Sequence, residues 1–153
     1  MSMDLDVIKA NFPTLVPMVG TLSLEWVDLS PEEAVMRLPD QQPYHNHIAG
    51  PHAGAMFTLG ESASGAIVMA AFGDQLDRLV PLAVEARIKY LKIAMGPVTA
   101  TATLNRPLAD INAEIEQGGK RPEFAVDIVI ADEQGTVTGE MTVLWTLKLI
   151  KKA

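Results

Sequence analysis

The sequence predicts an α+β fold in which an antiparallel six-stranded sheet wraps around one long central helix. Residues 53–72 are mostly small and apolar, and they predict one long helix. Alternation of apolar and polar residues, which is typical of strands, occurs twice before this helix and four times after it. The chain of 153 residues is long enough for a hydrophobic core and short enough to be a single domain over 1–153.

Three short elements are predicted before the central helix. Residues 4–12 favour a helix that Pro13 ends. Residues 20–29 alternate as a first strand, with Leu22, Leu24 and Trp26 on one face. The sequence SPEE is expected to form a turn, although it also resembles the start of a helix, and AVMRLPD returns as the second strand.

The central helix is predicted over 53–72, after a polar loop at 39–51 and before a closing Gly73. Intrinsic propensity disfavours three glycines in one helix, so something must surround it tightly. Small residues permit such a close approach, and they occur at Gly54, Ala55, Gly60, Ala63, Ser64, Gly65, Ala66, Ala70 and Ala71.

Four further strands are predicted after the helix, over residues 82–90, 98–104, 124–130 and 137–149. The sequence DEQG at 132–135 is typical of a hairpin turn between the last two strands. Residues 107–122 are expected to be a polar connection.

The composition excludes several classes of function. The net charge of −7 argues against general nucleic-acid binding, which needs Lys and Arg to neutralise phosphates. Because the chain has no cysteine, disulfides, thiolate nucleophiles and Cys-ligated metal sites are excluded.

The segment 53–73 is long enough to span a membrane and carries a single charge, Glu61. A carboxylate near the middle of a span is costly, and strand-like patterns flank the segment, so a buried helix is expected instead. The first residues, MSMDLDVIKANF, lack the features of a signal peptide, and a cytoplasmic location is the default expectation.

All three histidines lie in the sequence YHNHIAGPHAG, at His45, His47 and His52. The H-x-H spacing of the first two suggests a metal site. No suitable third ligand is near in sequence, so we expect no metal there.

A motif of Asn46, the sequence HAGA at 52–55 and Glu61 resembles the active-site segment of hotdog-fold acyl-CoA thioesterases. The similarity extends over about residues 20–149. It is greatest to the phenylacetyl-CoA and 4-hydroxybenzoyl-CoA thioesterase branch, in a subgroup with HAGA for HGG and Glu for Asp. The resemblance implies the hotdog fold and hydrolysis of an acyl-CoA to the free acid and CoA.

The same resemblance implies roles for individual residues. The backbone N–H groups of Ala53 and Gly54, at the start of the helix, would polarise the thioester carbonyl. Glu61 would act as general base or as nucleophile, and the sequence does not choose between them. Asn46 would orient water or the carbonyl, and His52 would organise the loop.

The basic pair Lys120 and Arg121 matches a family position that would hold the phosphates of coenzyme A, which is part of the substrate; no other cofactor is expected. Two positions depart from the family pattern: Ala53 replaces a glycine, and Ala83 replaces a serine or threonine on the following strand. An alanine at 53 still carries the required N–H group.

On a continuous helix, His52 and Glu61 are nine residues apart and would face opposite sides. A two-fold dimer resolves this by pairing the loop of one subunit with Glu61 of the other. We therefore expect a homodimer with two equivalent sites, and leave open whether two dimers associate.

Other interpretations stay open at this point. Glu61 could be a buried structural carboxylate, Asn46 a turn residue that bonds its own backbone, and Lys120 with Arg121 a solvated charge pair. The whole chain could be a non-catalytic hotdog protein that binds acyl-CoA or another small ligand. The hydratase branch is disfavoured because its Asp and His spacing is absent.

Overall fold

The computed structural model describes residues 4–151 and contains one antiparallel sheet of six strands. The strands are β1 Glu25–Leu29, β2 Ala34–Leu38, β3 Leu79–Tyr90, β4 Val98–Leu104, β5 Glu123–Asp132 and β6 Val137–Leu149. The helices are α1 Leu5–Leu15, α2 Pro17–Thr21, α3 Ala53–Phe72 and α4 Leu108–Gln117. The strand order β1-β2-β4-β5-β6-β3 leaves β1 and β3 at the edges, and the predicted fold is confirmed.

Helix α3 is the centre of the fold, and it packs against β2, β4 and β5 above all. Its small residues let the sheet approach: a Cβ atom on Gly60 would lie only 2.6 Å from Sδ of Met141. The bounds of α3 are those predicted, and Gly73 follows it directly. The small-residue composition therefore reflects packing rather than helix propensity.

Within the described chain, one helical stretch, Ala53–Gln75, is long and apolar enough to cross a membrane. Because 67% of its most apolar window is buried inside the fold, the apolar character is that of a core helix.

The prediction that Pro13 ends the first helix is wrong, because α1 continues to Leu15. A proline lacks the N–H that would bond the carbonyl four residues earlier, here that of Lys9. The indole Nε1–H of Trp26 donates to this carbonyl at 3.3 Å, so the proline is accommodated. Helix α1 ends two residues before Pro17, which begins α2.

The first strand is shorter than the predicted 20–29, because Gly20 and Thr21 belong to α2 and β1 begins at Glu25. Proline is well suited to the first position of a helix, and Pro17 starts α2 in this way. Leu22 and Leu24 are nevertheless buried, as their alternation predicted. The alternation of Leu22 and Leu24 is too short to distinguish a strand from the residues that follow a helical turn.

The prediction of a polar connection over 107–122 is also wrong, because it contains α4. The helix packs through Leu108, Ile111 and Ile115, and Ile111 is fully buried. This spacing of three and four residues is that of one helix face. The polar residues between these positions obscured this helical spacing in the sequence.

Candidate active site

The loop that leads into α3 is held together by Asn46. Its Oδ1 accepts hydrogen bonds from the backbone N–H groups of Ile48 and Gly50, both at 3.0 Å. Its Nδ2 donates to the carbonyl of Pro51 at 3.3 Å. The side chain of Asn46 thus fixes the loop, as the turn interpretation expects.

His52 caps the start of α3. Its Nδ1 accepts a hydrogen bond from the backbone N–H of Gly54 at 2.9 Å. Of the two N–H groups predicted to polarise a carbonyl, that of Gly54 therefore already has an acceptor. Among residues 4–151, none accepts a hydrogen bond from the N–H of Ala53. This N–H stands at the positive end of a 20-residue helix, where an oxyanion is favoured.

Glu61 lies on the one stripe of α3 that the fold does not bury. The accessible or half-buried residues of this stripe are Ala53, Gly54, Phe57, Thr58, Glu61, Gly65 and Met69. Within the part of the chain that the structure describes, no group hydrogen-bonds or ion-pairs with the Glu61 carboxylate. Partial burial raises the pKa of this carboxyl group.

The raised pKa of Glu61 predicts a pH-dependent effect of Glu61→Gln on stability. Folding favours the protonated acid, and this contribution is complete below the carboxyl pKa of the unfolded chain. It is lost as pH rises through the raised pKa of the folded state. We expect the free energy of unfolding of Glu61→Gln to exceed that of the wild type increasingly above about pH 4.

Urea denaturation of both proteins across pH measures this difference. Glu32→Gln is the matched control, because Glu32 is exposed in the turn between β1 and β2. A difference between Glu61→Gln and wild type that stays constant with pH would contradict the assignment of Glu61 as a desolvated carboxylate.

The backbone next to Glu61 is fixed by Ser64. The hydroxyl of Ser64 donates to the carbonyl of Glu61 at 2.7 Å and accepts from Nε1–H of Trp145 at 3.1 Å. Trp145 lies on β6, so this part of α3 is tied to the sheet.

Ala53 and Glu61 do not converge within one chain. They are eight residues apart on a continuous helix, which corresponds to about 12 Å along its axis. Gly54 and Glu61, seven residues apart, share the accessible stripe. His52 and Glu61 were expected to be separated because they face opposite sides of the helix. The helix start and the Glu61 carboxylate are instead separated by their distance along the helix axis.

Two cavities flank the start of α3. The first, here called the strand-side cavity, has a volume of ≈ 340 Å³. It is lined by Asn46, Ile48, Pro51, Ala53, Met56, Tyr90, Leu91, Lys92, Ile93 and Ala94. The second, the helix-side cavity, also has a volume of ≈ 340 Å³. It is lined by Met18, Leu22, Pro43, Tyr44, His45, His52, Gly54, Ala55 and Thr58.

Sequence reasoning missed Tyr90. Its hydroxyl donates to the carbonyl of Ala53 at 2.8 Å and ties the end of β3 to the first turn of α3. Burial raises the pKa of Tyr90, which favours the protonated hydroxyl that this bond requires. The only sequence signal was its place as the last apolar residue in the alternation of the third strand.

The other two histidines do not assemble a metal site in the described chain. Nε2 of His45 lies 2.5 Å from Oδ1 of Asp40, and His47 is exposed. Within residues 4–151, no three histidine or carboxylate side chains are grouped so that they could hold a metal ion.

Lys120 and Arg121 lie far from the start of α3. Together with Leu79, Lys148 and Lys151 they line a cavity of ≈ 320 Å³. Leu79 follows the C-terminal end of α3, and the helix itself spans about 30 Å. In a single chain these cations are therefore at the opposite end of the molecule from Ala53.

Comparison with known families assigns the chain to one family. The model of a family described as a domain of unknown function, DUF4442, matches residues 6–147. The chain belongs to the DUF4442 family. No curated protein matches it in sequence.

Several solved structures share the architecture of this DUF4442 chain. A protein of unknown function from Pseudomonas aeruginosa, described as a probable thioesterase, is 25% identical with a TM-score of 0.86, covering 98% of this chain and 99% of its own. A mutant thioesterase from the same organism is 16% identical with a TM-score of 0.77, covering 98% and 97%. A thioesterase family protein from Silicibacter pomeroyi is 18% identical with a TM-score of 0.75, covering 96% and 100%.

The last two likenesses, at low identity, show the fold alone. Together with the first they confirm the predicted hotdog fold and the resemblance to hotdog proteins of the thioesterase type.

Proposed function

We propose that this protein hydrolyses an acyl-CoA thioester to the free acid and CoA. The observation that carries the proposal is the N–H of Ala53, which has no acceptor in the described chain. Ala53 lines the strand-side cavity, and its neighbours His52 and Gly54 line the helix-side cavity. A thioester has two arms that diverge from its carbonyl group. A polarising N–H with a cavity on each side fits this shape.

Glu61 of the partner subunit would promote the attack. As a general base, it takes a proton from water while the water oxygen bonds to the carbonyl carbon. The C–S bond then breaks, and the leaving thiolate receives a proton. As a nucleophile, its carboxylate would bond to the carbonyl carbon and expel the thiolate, and water would hydrolyse the resulting anhydride. A carboxylate on an accessible stripe, with no partner among residues 4–151, suits either route.

A second copy of the chain would bind along the edge strand β3. This strand is long, with 12 residues, and exposes Val80, Leu82 and Val84. Ala83, which the sheet pleat directs toward α3, is exposed as well. A long exposed edge strand with apolar residues is a template on which another chain can pair. Antiparallel pairing of two β3 strands forms a two-fold dimer.

Val84→Lys is expected to convert the dimer to monomers and to abolish thioester hydrolysis, because a lysine on the pairing edge opposes association. Val27→Lys is the matched control. Val27 lies on the other edge strand, β1, and is 57% exposed where Val84 is 52% exposed. Sedimentation equilibrium measures the mass. A dimeric Val84→Lys protein would contradict the assignment of β3 as the interface.

The same pairing gives Lys120 and Arg121 a role in trans. Antiparallel pairing places the Leu79 end of one β3 strand beside the Tyr90 end of the other. The cations near Leu79 then approach the partner's strand-side cavity, which opens beside Tyr90. Lys148 and Lys151 line the same cavity and add to the positive charge that would bind the CoA phosphates.

Steady-state hydrolysis of short, medium, long and aromatic acyl-CoAs tests the function, with released thiol as the readout. We expect turnover of at least one class and its loss in Glu61→Gln. A folded dimer that hydrolyses none of them would contradict the enzyme and favour a non-catalytic protein that binds acyl-CoA at the same cleft.

A further inference from the structure

The helix-side cavity has three distinct walls. Helix α2 and the residue after it supply Met18 and Leu22, the first turns of α3 supply Gly54, Ala55 and Thr58, and the loop before α3 supplies the rest. The cavity therefore depends on the N-terminal helices as well as on the sheet and its central helix.

The wall formed by α2 is fixed in place. The hydroxyl of Tyr44 donates to the carbonyl of Thr21 at 2.5 Å, and Nε2 of Gln41 donates to the carbonyl of Leu22 at 3.0 Å. Both bonds tie α2 to the loop on the other side of the cavity. The cavity is thus a built feature of the fold.

The two cavities differ in charge. Among the described residues, no lysine, arginine, aspartate or glutamate lines the helix-side cavity. Both of its histidines are already engaged, His45 with Asp40 and His52 with Gly54. The strand-side cavity includes Lys92. An apolar group is favoured in the uncharged cavity, whereas the arm that ends in phosphates is favoured beside the lysine.

We propose that the acyl group of the substrate occupies the helix-side cavity, and that Met18 and Thr58 set the longest chain it accepts. The proposal rests on the function proposed above and deepens it. A volume of ≈ 340 Å³ corresponds to about ten non-hydrogen atoms, taking about 30 Å³ for each. The substrate class is therefore a medium-chain or aryl-substituted acyl group.

Binding of S-alkylpantetheine thioethers of increasing chain length tests the proposal by titration calorimetry. These probes cannot be hydrolysed, and both CoA and carrier-protein thioesters contain their pantetheine arm. In the wild type, Kd is expected to fall about fourfold per added methylene group, until the chain reaches about ten carbons and fills the cavity. Met18→Trp is expected to move this break to shorter chains by about two carbons.

Met95→Trp is the matched control, because Met95 is 51% exposed, as Met18 is, and lies outside the helix-side cavity. It is expected to leave the break unchanged. Thr58→Leu narrows the cavity from the opposite wall and is expected to shift the break in the same direction as Met18→Trp. It keeps the proposal testable if Met18→Trp does not fold.

Two results would overturn the proposal: a wild type whose affinity does not depend on chain length, or a break that neither Met18→Trp nor Thr58→Leu moves. The titration does not require turnover. A chain-length series that shifts as expected, in a protein that hydrolyses no thioester, would overturn the enzyme and retain the acyl cavity. Hydrolysis of a thioester, together with a chain-length break that neither substitution moves, would retain the enzyme and overturn the acyl cavity.

Discussion

Replacement of Ala53 by proline is expected to lower kcat for thioester hydrolysis by about 10²–10³ while the protein stays folded. Loss of one donor that stabilises a developing oxyanion has an effect of this size. Ala53 is the first residue of α3, a position that proline tolerates well. The preceding His52 has φ −63° and ψ 139°, an extended conformation that suits a residue before proline. No described hydrogen bond is lost, because the N–H of Ala53 has no acceptor in residues 4–151.

Ala53→Gly is the control for this substitution, since glycine keeps the N–H and restores the residue that the resembling thioesterases carry. We expect its kcat to stay within a few-fold of wild type, with the dimer intact in both variants. Stopped-time assays of thiol release, together with circular dichroism, compare the three proteins. A kcat for Ala53→Pro equal to that of the wild type would remove Ala53 from the mechanism.

Glu61→Gln is expected to lower kcat by at least about a hundredfold, because an amide can neither take a proton from water nor attack the carbonyl carbon. KM is expected to change little, since glutamine has nearly the same shape. Glu32→Gln, in an exposed turn, is expected to behave as wild type. The substitution at Glu61 is also expected to stabilise the fold at neutral pH, so lost activity would not reflect unfolding. Wild-type kcat in this variant would show that Glu61 is a structural carboxylate.

Strands β2 to β6 were predictable because their apolar and polar residues alternate, and α3 was predictable because its apolar run of 20 residues is too long for a strand. The alternation in β4 and β5 is typical of strands alone, and the long run of small residues in α3 is typical of a buried helix. Helix α4 was missed because only three of its residues, Leu108, Ile111 and Ile115, are large and apolar, and their helical spacing is hidden among charged and polar residues. The prediction that Pro13 ends the first helix failed for another reason. The indole of Trp26, which is distant in sequence, donates to the carbonyl that the proline leaves free.

The candidate site could be predicted only in part. Asn46, His52, Ala53, Gly54 and Glu61 were found through a family resemblance, which gives residues but not their contacts. The side chain of His52 accepts a hydrogen bond from the N–H of Gly54. This contact depends on a side-chain rotamer at the helix start, which no sequence pattern shows. The two cavities and the contact of Tyr90 with α3 depend on how β3 and α2 pack, and such tertiary contacts leave almost no local signal.

Mixed dimers test most directly the central claim, that each site combines Ala53 of one subunit with Glu61 of the other. Ala53→Pro and Glu61→Gln chains are each expected to be inactive alone, so they are co-expressed with different affinity tags. In a mixed dimer, one site then receives both intact residues and the other receives neither. The tandem-purified mixed dimer is expected to show about half of the wild-type kcat per dimer. No recovery of activity in that dimer, with both chains present and folded, would show that the two residues do not act across the interface.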